Sequence, residues 1–383
     1  MAASGLCLHP RRPARLWRVM ASLLALLAVA AIASLMLGAG EVTPGRALAV
    51  LTGHGDDEAT FVVGALRAPR TLIGIGVGLA LAVSGALLQA VSRNPLAEPG
   101  LLGVSAGAAF AVGVALWLGA SAATLRIAVG QVGALLGCLA VLSVVRLRGM
   151  GGDPVRLVLA GAAFSSLLAS LTSLLLLFDQ RTADEIRFWV IGSLSGRRLG
   201  DLLAVLPSLV LALGIIAVIA RPLAALALGE RVASGLGHHP GRVRLLVILA
   251  VALMVGAATA LAGPIAFVGL VVPFAARALA GPDIRRTLWL CLPLGPLMVL
   301  VADIVSRLVV APAELPIGVL TAPGAPPRPP SPSASPAAAT PAAIASSSPA
   351  SASVRSSVPS PSCCWPRWIS TAPMRLTPGR WAR

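Results

Sequence analysis

Nine long apolar runs divide the 383-residue sequence, and charges are rare inside them. They fall at about Leu16–Leu37, Thr71–Val91, Gly100–Leu118, Leu125–Val145, Val155–Phe178, Asp201–Ala220, Val243–Ala262, Ile265–Leu279 and Leu288–Val310. About twenty residues at ~1.5 Å each are enough for a helix to cross the hydrocarbon core of a bilayer. In lipid no water is available to pair a backbone N–H or C=O, so a spanning segment must be a helix or part of a closed barrel. Barrel strands alternate apolar and polar residues over short stretches, and these runs do not. The fold class expected is therefore an all-α polytopic membrane protein. Ile265–Leu279 is short for a span and is flanked by Gly and Pro. Gly, Ala and Ser recur within the runs and allow close helix packing.

Composition agrees. The chain is 57% hydrophobic and 11% charged, with a mean hydropathy of +0.90. A soluble domain of this length has too much surface to hide so large an apolar fraction. The net charge of +16 invites a nucleic-acid reading, but the basic residues sit mostly in short connections and in the C-terminal tail. In the connections they act as topology signals. All 30 basic residues are arginine, and tyrosine is absent. A phosphate-binding loop of the G-x-x-x-x-G-K-[ST] type needs a lysine, so any ATP hydrolysis belongs to another polypeptide. Cys7, Cys138, Cys291, Cys363 and Cys364, with His9, His54, His238 and His239, show no metal-ligand spacing. No cofactor or metal is expected.

Arg11, Arg12, Arg15 and Arg18 cluster around the start of the first run and place that start in the cytoplasm. Counting onward, the arginine-rich connections RLRGMGGDPVR, RPLAALALGERVASGLGHHPGRVR and GPDIRR all fall inside. The polar stretch Gly40–Ala68 and the mixed-charge loop DQRTADEIRFWVIGSLSGRR fall outside. Nine crossings then end outside, at APAELPIG, and LPIGVLTA begins a tenth that stops at Pro323. Three domains are expected: a cytoplasmic segment 1–15, a transmembrane domain 16–322 and a Pro/Ser/Ala/Arg-rich disordered tail 323–383. Proline removes helical donors and clashes with the preceding turn, so the tail cannot span. A GC-rich gene read out of phase yields such a composition, which points to a frameshift near the codons for Thr321 to Gly324.

Arg67–Val112 holds two runs joined by a turn at Asn94-Pro95 and Glu98-Pro99. Here the sequence resembles the membrane subunits of the iron-siderophore, haem and cobalamin importers, which are binding-protein-dependent ABC transporters. FWVIGSLSG (Phe188–Gly196), LGERVASGLG (Leu228–Gly237), AGPIAFVGLVVPFAARALAGPD (Ala262–Asp283) and ADIVSRLVVAPAELPIGVLTA (Ala302–Ala322) extend the resemblance in order. It implies a permease of the bacterial inner membrane that moves a ferric siderophore, haem or cobalamin. In the family this subunit forms a homodimer with ATPase subunits inside and a substrate-binding protein outside, and itself catalyses no chemistry.

LGERVASGLG reads independently as a short helix on the cytoplasmic side, with Gly235 and Gly237 as helix stops. An ordinary loop helix is the plainer account. The resemblance implies that Leu228, Gly229, Glu230, Ala233, Ser234, Gly235, Leu236 and Gly237 couple to the ATPase. It likewise implies that Arg67, Arg70 and Arg307 dock acidic residues of the binding protein, where snorkelling at the interface is the alternative. Asn94 and Leu96 are implied as part of the cytoplasmic gate; a helix-ending turn is the local reading. Two departures stand out: Phe274 occupies a position where the family usually has His, and the family's tenth span is missing.

Two other readings stay open. One is an ion-coupled secondary transporter, for which Asp303 and Gln89 are the candidate intramembrane groups. The other is a permease inactivated by its altered C-terminus.

Overall fold

The computed structural model describes residues 13–38, 42–120, 123–147, 154–178, 180–281 and 283–309. The expected tail 323–383, the start of the tenth run, and Cys7, His9, Cys363 and Cys364 lie outside them.

Every described element is helical. The first helix, α1 (Pro13–Met36), is followed by a small cap: α2 (Pro44–Leu51), α3 (Asp57–Phe61) and a π-helical turn, Val62–Arg67. That turn runs directly into α4 (Ala68–Ser92). A single 3₁₀ turn, Pro99–Leu102, leads to α5 (Val104–Trp117). Then come α6 (Ala123–Leu147), α7 (Pro154–Phe178), α8 (Gln180–Ile191) and α9 (Leu199–Leu228). The last four are α10 (Glu230–Gly235), α11 (Pro240–Ala262), α12 (Val268–Ala280) and α13 (Ile284–Val309).

Each of the nine apolar runs falls on a helix. Among the described residues seven helices are long and apolar enough to cross a membrane, while α5 and α12 have 14 and 13 residues. At ~1.5 Å per residue these two extend about 20 Å, less than the ~30 Å hydrocarbon core. Two expectations need correction. α9 continues eight residues beyond Ala220, despite Pro207 and Pro222 in its interior. The external loop after α7 is largely a helix, α8, amphipathic and rich in charge.

The core is built on α4 and α11, which are buried nearly all round. A helix apolar on every side belongs in such a place. α4 packs on α13, α11 and α12; α5 packs on α6; α11 also meets α9 and α6. Glycine permits the closest of these contacts. A Cβ on Gly78 would sit 2.5 Å from the Gly295 carbonyl oxygen, and one on Gly85 would overlap the Gly269 carbonyl. By contrast α1, α7 and α9 leave most of their apolar surface exposed. Cys138 and Cys291 are buried free thiols in this core.

Candidate functional site

The 25 residues of α4 extend about 37 Å as a helix and connect two clusters of the sequence-predicted residues. Arg67 and Arg70 stand at its outer end; Asn94 and Leu96 follow its inner end.

At the outer end the three predicted docking arginines come together, but they point inward. Arg67, Arg70 and Arg307 are 5%, 8% and 2% exposed, and Asp303 is fully buried. Arg70 donates to Asp303 Oδ1 from Nε at 3.0 Å and from Nη2 at 2.8 Å. Arg307 donates from Nη2 to Asp303 Oδ2, one turn earlier on its own helix. It also reaches α1, through Ser34 O at 3.0 Å, Leu37 O at 2.9 Å and Ser34 Oγ at 2.7 Å. Arg67 donates to Leu35 O at 3.1 Å, Met36 O at 2.9 Å and Val42 O at 3.3 Å. The last carbonyls of a helix have no partner within it and carry its negative end. Two guanidiniums satisfy them here, so these arginines stitch α1 to α4 and α13.

The same arginines line a cavity of about 650 Å³, with Phe61, Leu66, Ser195, Arg197 and Arg198 among its other walls. Sequence reasoning missed Arg197 and Arg198. A signal was available: paired arginines in an external connection run against the positive-inside pattern. Five arginines line this one cavity, and the carboxylate of Asp303 behind it offsets part of their charge. In the cap, Arg46 pairs with Asp56, and with Glu58 at 2.7 Å. Those hydrogen bonds raise the Arg46 pKa and lower that of Asp56.

At the inner end, α4 stops at Arg93, whose φ of 51° is left-handed. Asn94 Oδ1 accepts from Leu96 N at 2.9 Å, and Asn94 O accepts from Ala97 N at 3.2 Å. This is a side-chain-capped turn. Leu96 projects from it, 73% exposed.

The predicted coupling segment divides at Gly229, whose φ of 141° is open to glycine. Leu228 closes α9, and Glu230–Gly235 form α10. Gly235 is the last residue of this helix rather than a stop after it; Gly237, at φ 79°, takes the left-handed position. Ala233 is buried beneath α10, while Arg231, Ser234 and Leu236 are exposed. Glu230 is paired with Arg244 of α11. The groove beside α10, about 710 Å³, is lined by Ser234, Gly237, His238, His239, Pro240, Gly241, Arg242 and Leu245. Among the described residues no cluster of three or more His, Cys, Asp or Glu side chains could hold a metal.

The two groups that a coupled-ion site would use are already committed. Asp303 serves two arginines. Gln89 Oε1 accepts from Arg277 Nη1 at 2.6 Å, and its Nε2 donates to Gly269 O at 3.3 Å. Phe274 lies on α12 just after Pro273 and is largely exposed.

A family profile, that of the FecCD transport family, matches residues 26–326. The chain belongs to the FecCD transport family. Among its relatives, the ferric enterobactin transport system permease protein FepD of Escherichia coli is 41% identical over 302 residues, covering 78% of this chain and 90% of FepD. The hemin transport system permease protein HmuU of Yersinia pestis is 40% identical over 261 residues, 67% of this chain and 78% of HmuU. A solved structure described as an inward-facing, metal-chelate-type ABC transporter superposes with a TM-score of 0.69 at 29% identity, covering 79% of this chain and 94% of the other. This FecCD protein is thus a multi-pass membrane permease subunit of the ABC-importer type.

Proposed function

We propose that this FecCD permease carries a ferric siderophore inward across the cytoplasmic membrane by alternating access, driven by ATP on a separate subunit. The observation that carries the substrate class is the 41% identity to FepD along nine-tenths of that protein. HmuU, similar over a smaller share of its length, supports haem as the second reading. The exposed surface of α10 supports docking into an ATPase groove, a common use of a short surface helix. Asn94 and Leu96 form the inner gate in this reading. The arginine-lined cavity supports an acidic binding protein as the outer partner. In that role Arg67, Arg70 and Arg307 form the charged floor, while Arg197 and Arg198 stand at the wall. The assembly pairs two copies of the permease.

Reconstitution with an ATPase subunit and a binding protein tests this. Lumenal ATP drives uptake of radiolabelled ferric enterobactin, and omitting the ATPase abolishes it. Uptake driven by a proton gradient with no ATPase present overturns the reading in favour of a secondary transporter. Transport of haem at a higher rate than the ferric catecholate replaces the substrate class only.

We further propose that residues 1–15, 16–322 and 323–383 are separate parts and that the last comes from a shifted reading frame. The end of the family match at residue 326 and the proline-rich composition beyond it support this. Resequencing the codons for Thr321 to Gly324 checks it, and an alternative frame with no apolar stretch of about twenty residues refutes it. Uptake by the frame-restored chain alone assigns the chain as written to the inactive reading.

A further inference from the structure

The turn after α4 is held from two sides. On one, Glu98 Oε1 accepts the backbone N–H of Phe267 at 2.9 Å, where the chain enters α12 with Phe267 at φ 67°. On the other, Arg93 Nη2 donates to the carbonyl oxygen of Leu226 at 3.1 Å. Leu226 lies in the last turn of α9 and is buried. Its carbonyl oxygen also accepts the N–H of Gly229 at 3.1 Å, the first residue of the joint between α9 and α10. One oxygen therefore receives both the gate turn and the joint that carries α10.

Arg93 is an unexpected residue for its place. The position is left-handed, where glycine or asparagine is usual and a longer side chain is strained. Retaining an arginine there makes sense when its guanidinium does something a glycine cannot. The helix end it meets is the negative pole of α9, which favours a cation. Strained residues of this kind concentrate at moving parts.

We infer that Arg93 is a positioning residue that ties the Asn94–Glu98 turn to the α9–α10 joint, so that displacement of α10 is passed to the gate turn. The inference rests on the proposed roles of α10 and of the turn. Glycine at position 93 separates this role from a structural one, because it relieves the backbone strain while cutting the tie.

The test places nitroxide labels at Leu96→Cys and Ser234→Cys in the full chain, with the five native cysteines replaced by serine. Arg93→Gly is expected to broaden the distance distribution between the labels at least twofold while the unfolding temperature holds or rises. Arg93→Lys, which keeps the cation, is expected to restore most of the narrow distribution. An unchanged distribution in Arg93→Gly overturns the proposal, as does a fall in unfolding temperature that Arg93→Lys also shows. In proteoliposomes with the ATPase, Arg93→Gly should raise the ATP hydrolysed per siderophore imported by about tenfold, within the usual range of a coupling effect. A ratio equal to wild type sinks the link and leaves the transport function standing. Absence of uptake by the unaltered chain counts against the transport function, and the label distances then decide the link alone.

Discussion

Asp303 shows how much a single intramembrane carboxylate can organise. It accepts from Arg70 and Arg307, and Arg307 continues to α1. Removing one member of a buried ionic group leaves the others charged and unpaired, at a cost of about 3–5 kcal/mol. Asp303→Ala is therefore expected to lower the unfolding temperature in detergent sharply. Arg198→Ala, at an exposed site, should leave it within about 0.5 kcal/mol of the parent. The cap has its own acid sensitivity. Arg46 lowers the pKa of Asp56 through their hydrogen bond. A carboxylate depressed in the folded state stabilises it above the ordinary value of about 3.9 and loses that contribution as pH falls through the depressed one. Protection factors of the amides in residues 43–61, which divide out the intrinsic pH dependence of exchange, should fall across that acidic window and hold between pH 5 and pH 8. The sequence grouped Arg67, Arg70 and Arg307, and the structure brings them to one cavity. That their donors turn inward was not legible there, because apart from Asp303, one turn from Arg307, their partners lie 25 to 273 residues away along the chain.

The helices were the most legible level, since a long apolar run in lipid has few alternatives to helix. α8 escaped notice because four charged residues, Arg181, Asp184, Glu185 and Arg187, give it the composition of a loop, although its pattern is amphipathic. The contact between α4 and α12 was legible only as a general abundance of glycine. Which glycine meets which backbone is set by the crossing of two helices remote in sequence. Gly85→Ala forces a methyl against the Gly269 carbonyl, and overpacking of this kind costs about 1–3 kcal/mol. Gly214→Ala on α9 meets nothing within 4 Å and should gain about 0.5–1 kcal/mol from helix propensity. Melting both variants beside the parent checks the pair: equal shifts would remove the close packing at Gly85 as the cause.

For the whole molecule, the arginine-rich connections predict an orientation with α10 inside and the cap outside. Cysteines at Leu96 and Ser234 should react with a membrane-impermeant maleimide only in inside-out vesicles, and a cysteine at Thr52 only in intact cells. Labelling of all three from one side would reverse the bundle or break its count. The exposed apolar faces of α1, α7 and α9 leave ample surface for lipid and for a second copy. Light scattering of the detergent-solubilised protein should then report a dimer.

By its own pattern the sequence determined that this protein is helical, that it lies in a membrane, and that this chain carries no lysine-bearing phosphate-binding loop. These follow from the solvent each run can tolerate and from residue types that are present or absent. Only the tertiary structure decided that the outer arginines brace α1 against α4 and α13, and that Arg93 meets the end of α9. Those depend on side chains finding acceptors on helices far away in sequence, and a local pattern holds no record of which distant carbonyl will be within reach.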